Sequence, residues 1–211
     1  SLNLIESNVA INEHVWNIVR LFPVDHRYQM YSTWRKSGSR NVRLQCQENK
    51  SKRNLKAVLR RITSTGEGAK SLGKLLGKVS HSHPVVVFDS IIGAFQLYTN
   101  MISPLVDCLK YLTAMSHDVM MFVLLEKFVS KRKNAQKSDG VHLADWLSSL
   151  STFVGLLFKK YYELECGEIL RFIASKLATD NSTVELVVLG ELIGTMAGIT
   201  HLGTHMSEKQ V

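Results

Sequence analysis

Leu143-Ala-Asp-Trp-Leu-Ser-Ser-Leu-Ser-Thr-Phe-Val-Gly-Leu-Leu-Phe-Lys-Lys-Tyr161 is the stretch that decides the fold. Its apolar residues Leu143, Trp146, Leu147, Leu150, Phe153, Val154, Leu157, Phe158 and Tyr161 are separated by steps of three or one. A half-buried strand would alternate every second residue. Steps of three and four instead gather these side chains into one wide stripe on a helix of about five turns. The same rule holds at Ile102, Leu105, Leu109 and Leu112, and again at Leu55, Leu59 and Ile62.

Working outward, the pattern predicts nine or ten helices, at about 8–21, 24–37, 40–63, 68–80, 84–99, 103–114, 117–132, 142–161, 165–178 and 183–197. The three prolines, Pro23, Pro84 and Pro104, each stand just before an apolar-periodic run, where a missing N–H costs nothing. Ser103 is a candidate N-cap, and Ser182 with Glu185 has the spacing of a capping box. Gly38, Gly66 and Gly198 read as helix ends. The exception is His83-Pro-Val-Val-Val-Phe88, which alone would pass for a buried strand. A lone strand has no partner among helical neighbours, so it too is predicted helical.

Short connections make neighbouring helices antiparallel. A helix pair then occupies about 40–47 residues, the length of a HEAT-type unit. The expectation is an all-α, antiparallel helical-repeat domain over residues 1–203, a right-handed array like the middle domain of initiation-factor scaffolds. Residues 204–211 form a polar tail, and both ends read as cut points within a longer protein. The polar interval Ser130–Gly140 reads as a loop and not as a domain boundary.

Composition bounds the function. With 45% hydrophobic and 21% charged residues, the 211-residue chain can bury an ordinary core. Its longest apolar run, Val119–Leu125, is a core helix segment, far short of the roughly 20 residues that span a bilayer. Cys46, Cys108 and Cys166 are widely spaced, which points to reduced, buried thiols. The net charge of +8 is concentrated: Arg35 to Arg61 holds ten basic residues and one acid, Glu48.

Catalytic patterns are wanting. No phosphate-cradling glycine loop and no Gly-x-Ser-x-Gly occurs. Asp89, Asp107 and Asp118 read as isolated acids on helices. His81 with His83, and His201 with His205, are the histidine pairs to weigh as metal ligands. Neither has a nearby cysteine or carboxylate to complete a set, and Gly203 interrupts the second. No enzyme activity, cofactor, metal or small-molecule substrate is expected.

The basic segment is the better lead. Arg53, Lys56 and Arg60 share one side of a helix, with Leu55 and Leu59 turned to the core. Such a ridge suits RNA phosphates or an acidic partner. Lys70, Lys74 and Lys78 form a second row at i, i+4 spacing. Tyr28, Tyr31 and Trp34 step by three and are expected to bury a shared face, leaving Arg27 and Arg35 as flanking surface charge.

Five blocks then carry a family likeness. Phe22-Pro-Val-Asp-His-Arg-Tyr-Gln-Met-Tyr-Ser-Thr-Trp-Arg35 resembles a block in the second, large scaffold subunit of the THO complex. Residues 77–89 (GKVSHSHPVVVFD), 102–113 (ISPLVDCLKYLT), 145–150 (DWLSSL) and 189–199 (LGELIGTMAGI) fit the same family in the same order. The resemblance implies a nuclear, non-enzymatic role within the TREX mRNA-export machinery. The implied partners are the other THO subunits and a DEAD-box RNA helicase. The alternatives are direct RNA binding through residues 35–61 and purely architectural packing on sister subunits. No membrane partner is expected.

Overall fold

A computed structural model of the chain describes residues 2–5, 7–61, 69–131, 145–180 and 185–198. All regular structure among them is helical. The α-helices are α1 Val9–Val19, α2 Val24–Arg40, α3 Val42–Leu59, α4 Ala69–Ser80, α5 Pro84–Leu97, α6 Ile102–Cys108, α7 Ala114–Lys131, α8 Asp145–Lys160, α9 Gly167–Asp180 and α10 Glu185–Ala197. Short 3-10 turns cover Leu2–Leu4, Thr99–Met101 and Leu109–Tyr111. The all-helical expectation holds, and each of the ten windows contains a helix.

The helix starts follow local chemistry. Asn8 Oδ1 accepts from the Ala10 N–H at 2.9 Å, and Asn41 Oδ1 accepts from the Arg43 N–H at 2.9 Å. Each side chain satisfies a donor that the first turn leaves orphaned, worth about 1 kcal/mol. Pro84 occupies the first position of α5 as expected. The other punctuation is corrected in part. Ser103 and Pro104 lie inside α6, whose cap Met101 makes no side-chain bond. Pro23 precedes α2 as its cap, and α2 runs through Gly38 to Arg40. Gly198, at φ +71°, does end α10, in the left-handed conformation that glycine takes freely. Ser182 and Gly66 lie outside the described residues.

The contacts divide the chain into two compact units, residues 1–134 and 135–211. In the first, α5 packs against α3, α4 and α7. Val85, Val86, Val87, Phe88, Ile91, Ile92 and Phe95 of α5 are all buried. A helix covered on several sides needs no polar stripe, which explains why its opening looked like a strand. Val119 to Leu124 of α7 are buried as expected of the longest apolar run.

A buried polar chain ties α1, α4 and the start of α7 together. Asn12 Nδ2 donates to the His81 carbonyl at 3.0 Å, and the Thr113 hydroxyl donates to Asn12 Oδ1 at 2.8 Å. Ser116 Oγ donates to Ser80 Oγ at 3.3 Å, and Ser80 Oγ to the Gly77 carbonyl at 2.7 Å. Each buried group thereby keeps a partner, as burial requires.

In the second unit α8 packs on α10 and α10 on α9. Of the 143–161 stripe, Leu147, Leu150, Phe153, Val154, Leu157 and Phe158 are at most 2% exposed, and Trp146 and Tyr161 are half-buried. Leu143 lies outside the described residues. Ser149 and Ser151 are buried on the same helix and donate back to the Asp145 and Leu147 carbonyls, both at 2.8 Å.

Burial also makes the first unit sensitive to acid. Desolvation lowers the pKa of His83, and lowers that of His117 against a hydrogen bond to the Leu109 backbone that raises it. Both rings bind protons less readily folded than unfolded, so their contribution is fully present above the ordinary histidine value of about 6.5. It is lost as pH falls below that value. The urea midpoint of unfolding is expected to fall between pH 7.5 and 5.5 (about one unit either side of that value), and His83→Gln with His117→Gln should flatten the dependence. An equally steep fall in the double variant would assign it to other groups.

Candidate functional site

The basic segment supplies one wall of a trough between α3 and α5. Leu44, Leu55 and Leu59 are the buried residues of α3, and they fix which side of the helix faces outward. One part of the trough, about 450 Å³, is lined by Asn3, Trp34, Arg35, Gln45, Glu48, Asn49, Lys52, His83, Pro84, Val85, Val86 and Asp89. The other, about 550 Å³, is lined by Asn49, Lys52, Arg53, Lys56, Asp89 and Ser90. Asn49, Lys52 and Asp89 line both, so the two parts adjoin.

Of the ridge residues, Arg53 and Lys56 line the trough. Arg60 is exposed at the C-terminal cap of α3 and does not. Arg53 Nε donates to the Asn49 carbonyl at 3.3 Å, a weak local contact. Lys70, Lys74 and Lys78 are exposed on α4 and line neither part. Lysine 52 sits 4.0 Å from Glu48 on the same helix.

Lys52 and Asn49 were not singled out from the sequence, although a signal was present. Gln45, Asn49, Lys52 and Lys56 step by four, three and four, the spacing of one polar stripe on a helix. The opposite wall had no such signal, because Asp89 and His83 come from α5.

The charges behind the trough correct two expectations. Arg35 is not a flanking surface charge: its guanidinium bridges Asp89 of α5 and Glu126 of α7. Lys127 Nζ lies 2.8 Å from Asp89 Oδ1. Asp89 is therefore paired by two cations and is not an isolated acid. Asp118 is not isolated either. Arg27 Nε and Nη2 donate to its two oxygens at 3.0 and 2.9 Å, and the Tyr31 hydroxyl donates at 2.7 Å. Burial, and then the adjacent Asp118 carboxylate, push the Tyr31 hydroxyl well above the usual tyrosine range.

The aromatic face is buried as expected at Tyr31, while Tyr28 and Trp34 are half-buried. Both tyrosine rings pack on Phe122, with centroids 5.6 and 5.8 Å away. Trp34 Nε1 donates to Asn3 Oδ1 at 2.9 Å at the edge of the trough. Among the thiols, Cys108 is buried, Cys166 is half-buried and Cys46 is exposed. Cys46 stands two residues from buried Leu44, about 200° around the helix, so the same rotation that buries the leucine exposes it.

Among the described residues no group of three or more His, Cys, Asp or Glu is arranged to hold a metal ion. No described helix is long and apolar enough to cross a membrane. His201 and His205 lie outside the described residues. The fold defines an all-helical protein, and the trough gives it a partly basic, concave surface between α3 and α5.

Comparison with known proteins gives the family. A model described as THO complex subunit 2 N-terminus matches residues 1–70, and one described as Transcription- and export-related complex subunit matches residues 76–151. THO complex subunit 2 of Arabidopsis thaliana is 32% identical over 95% of this chain, and that of Homo sapiens 34% over 94%. The Saccharomyces cerevisiae protein of the same name is 26% identical over 95%. The chain belongs to the THO complex subunit 2 family. It spans 11% of the Arabidopsis relative and 12% of the human one.

Proposed function

We propose that this chain is a non-enzymatic scaffold segment of the THO complex, acting in the nucleus. It helps to assemble the THO subunits and to position a DEAD-box RNA helicase for mRNA packaging and export. Family membership is the observation that carries this reading. It is supported by a helix, α3, that displays Arg53, Lys56 and, at its cap, Arg60 on an exposed side.

A scaffold influences a helicase only as far as it binds one arrangement of the helicase lobes better than another. A preference of about 1–3 kcal/mol, typical of coupling between sites, corresponds to roughly 5–150-fold. Titrating the chain into an RNA-stimulated ATPase assay of the helicase, beside a direct binding measurement, tests this. The expected result is no turnover by the chain alone, weak binding, and a changed helicase rate. The triple variant Arg53→Glu, Lys56→Glu, Arg60→Glu should weaken that binding and leave the melting temperature within about 2 °C, because exposed residues contribute little to stability. Absence of both binding and rate change at high micromolar chain would favour a purely architectural segment.

Direct RNA binding is a second reading, favoured by the absence of any carboxylate paired with Lys56 or Arg60 among the described residues. Salt separates it from the first. Affinity resting on phosphate contacts falls steeply as salt rises, whereas a protein interface with an apolar centre changes less.

A further inference from the structure

We propose that the trough between α3 and α5 is a docking site for an extended, acidic peptide segment of a partner protein. An apolar residue would seat at the end lined by Trp34, His83 and Val86, with acids against Arg53 and Lys56 at the other. This goes beyond the scaffold reading and does not depend on the helicase.

The dimensions suit a peptide. From Gln45 to Lys56 the α3 wall is eleven steps long, about 16 Å at 1.5 Å per residue. An extended chain covers that span with about five residues at 3.3 Å each. The wall offers the amide of Asn49 along this line, a group able to bond a peptide backbone on both its donor and acceptor sides.

A second observation concerns the ring of His83 at the apolar end. His83 is only 7% exposed and lines the trough, yet its buried Nε2 has no hydrogen-bond partner. A buried polar atom without a partner is costly, and because Nε2 itself has no accessible surface, a peptide backbone group would meet it only when the ring turns toward the trough. Val86 and the ring of Trp34 beside it provide apolar surface for one side chain.

The charges choose between a peptide and RNA. Four cations, Arg35, Lys52, Arg53 and Lys56, and two acids, Glu48 and Asp89, line the trough. Asp89 is paired with Arg35 and Lys127, and Lys52 lies 4.0 Å from Glu48, so the attraction for anions is concentrated at the Arg53 and Lys56 end. A nucleic-acid strand carries a phosphate at every nucleotide, including those that would cross the already paired middle. A peptide can place neutral residues there and keep its acids for the basic end.

The test measures fluorescence anisotropy of labelled peptides against the 211-residue chain. One peptide carries a phenylalanine, a short Gly-Ser spacer and three acids, and a second reverses that order. A third replaces the acids by amides, and a length-matched oligouridylate serves as competitor. Saturable binding of one acidic peptide is expected, weakened about ten-fold or more by the amide exchange and by Arg53→Glu with Lys56→Glu. Asn49→Trp, which fills the middle of the trough, should weaken it equally. Lys74→Glu with Lys78→Glu makes the same charge change on α4 and should leave affinity within about two-fold. Equal binding of the amide peptide, equal loss in the α4 variant, or effective competition by the oligouridylate overturns the proposal, as does no saturation by about 1 mM. Melting curves of each variant identify any that fails to fold, in which case the Arg53/Lys56 variant decides. Failure here with an intact helicase response would remove only the peptide site.

Discussion

Replacing Asp118 by Ala is expected to cost the first unit about 3 kcal/mol, in the range for breaking a largely buried ion pair by deleting one partner. The side chains of Asp118 and Arg27 are only 13% and 16% exposed, so water cannot take over fully when the carboxylate goes. The substitution strips Arg27 of a two-pronged partner and leaves the Tyr31 hydroxyl, on a residue 2% exposed, without its acceptor. Some compensation remains. Arg27 Nη1 still donates to the Phe22 carbonyl at 3.0 Å, and the guanidinium lies 5.7 Å from the centre of the Trp16 ring. Those contacts hold the expected loss near the lower end.

Two companion variants separate charge from hydrogen bonding. Tyr31→Phe removes one donor and leaves the ion pair, for about 1 kcal/mol. Asp118→Asn keeps one acceptor oxygen and should fall between the two. The chain has two units, so a single unfolding transition is not assumed. Trp16 and Trp34 lie in the first unit and Trp146 in the second. A Trp146→Phe background therefore lets tryptophan fluorescence follow the first unit in urea. A loss for Asp118→Ala no larger than that for Tyr31→Phe would show that the ion pair adds nothing to the hydroxyl bond.

Most of the fold was legible because helices write their burial into sequence at short range. The stripe from Leu147 to Phe158 and the Leu55 and Leu59 pair bury as their spacing demands. Residues 83–88 hid their period because α5 is covered by α3, α4 and α7, and a helix buried on several sides has no face to mark. Gly38 misled for a related reason. Glycine only weakens a helix by about 1 kcal/mol, so surroundings can carry α2 through it.

The site was less legible because its pairings join residues far apart in the chain. Arg27 meets Asp118, and Arg35 meets Asp89 and Glu126. Within residues 22–35 nothing distinguishes an arginine that faces water from one aimed at a later helix. Arg53 and Lys56 were found because one helix displays them. The wall opposite, from Asp89 and Ser90, comes from packing alone. In the polar interval 130–140, read as a loop, the chain divides into its two units. Composition there carried the connection without saying how much structure each side would hold.

Opposite signs are expected for two chemically identical substitutions, Gly77→Ala and Gly93→Ala. Both glycines lie inside α-helices, α4 and α5, so each replacement gains the same intrinsic helical preference, about 1 kcal/mol. Their surroundings differ. A Cβ on Gly93 would meet nothing within 4 Å, whereas on Gly77 it would stand 2.6 Å from the Tyr111 carbonyl oxygen and 3.2 Å from Tyr111 Cβ. The close atom is backbone, held in the 3-10 turn Leu109–Tyr111 against which α4 packs. It cannot swing aside as a side-chain tip would. Relief requires α4 to move off that turn, and overpacking of this kind costs about 1–3 kcal/mol. Set against the helical gain, Gly77→Ala should lose up to about 2 kcal/mol, while Gly93→Ala gains about 0.5–1. Gly77→Leu, with three more carbons on the same vector, should exceed the alanine loss. Gly73 tests the flexible case: its Cβ would meet the Tyr111 ring at 2.4 Å, a contact that ring rotation can partly relieve. Urea unfolding followed through Trp16 and Trp34 reads all four variants. If Gly77→Ala stabilises as Gly93→Ala does, α4 is not seated on the turn. The close approach would then have no energetic content, and the glycines would be mere interruptions in a lysine-bearing helix.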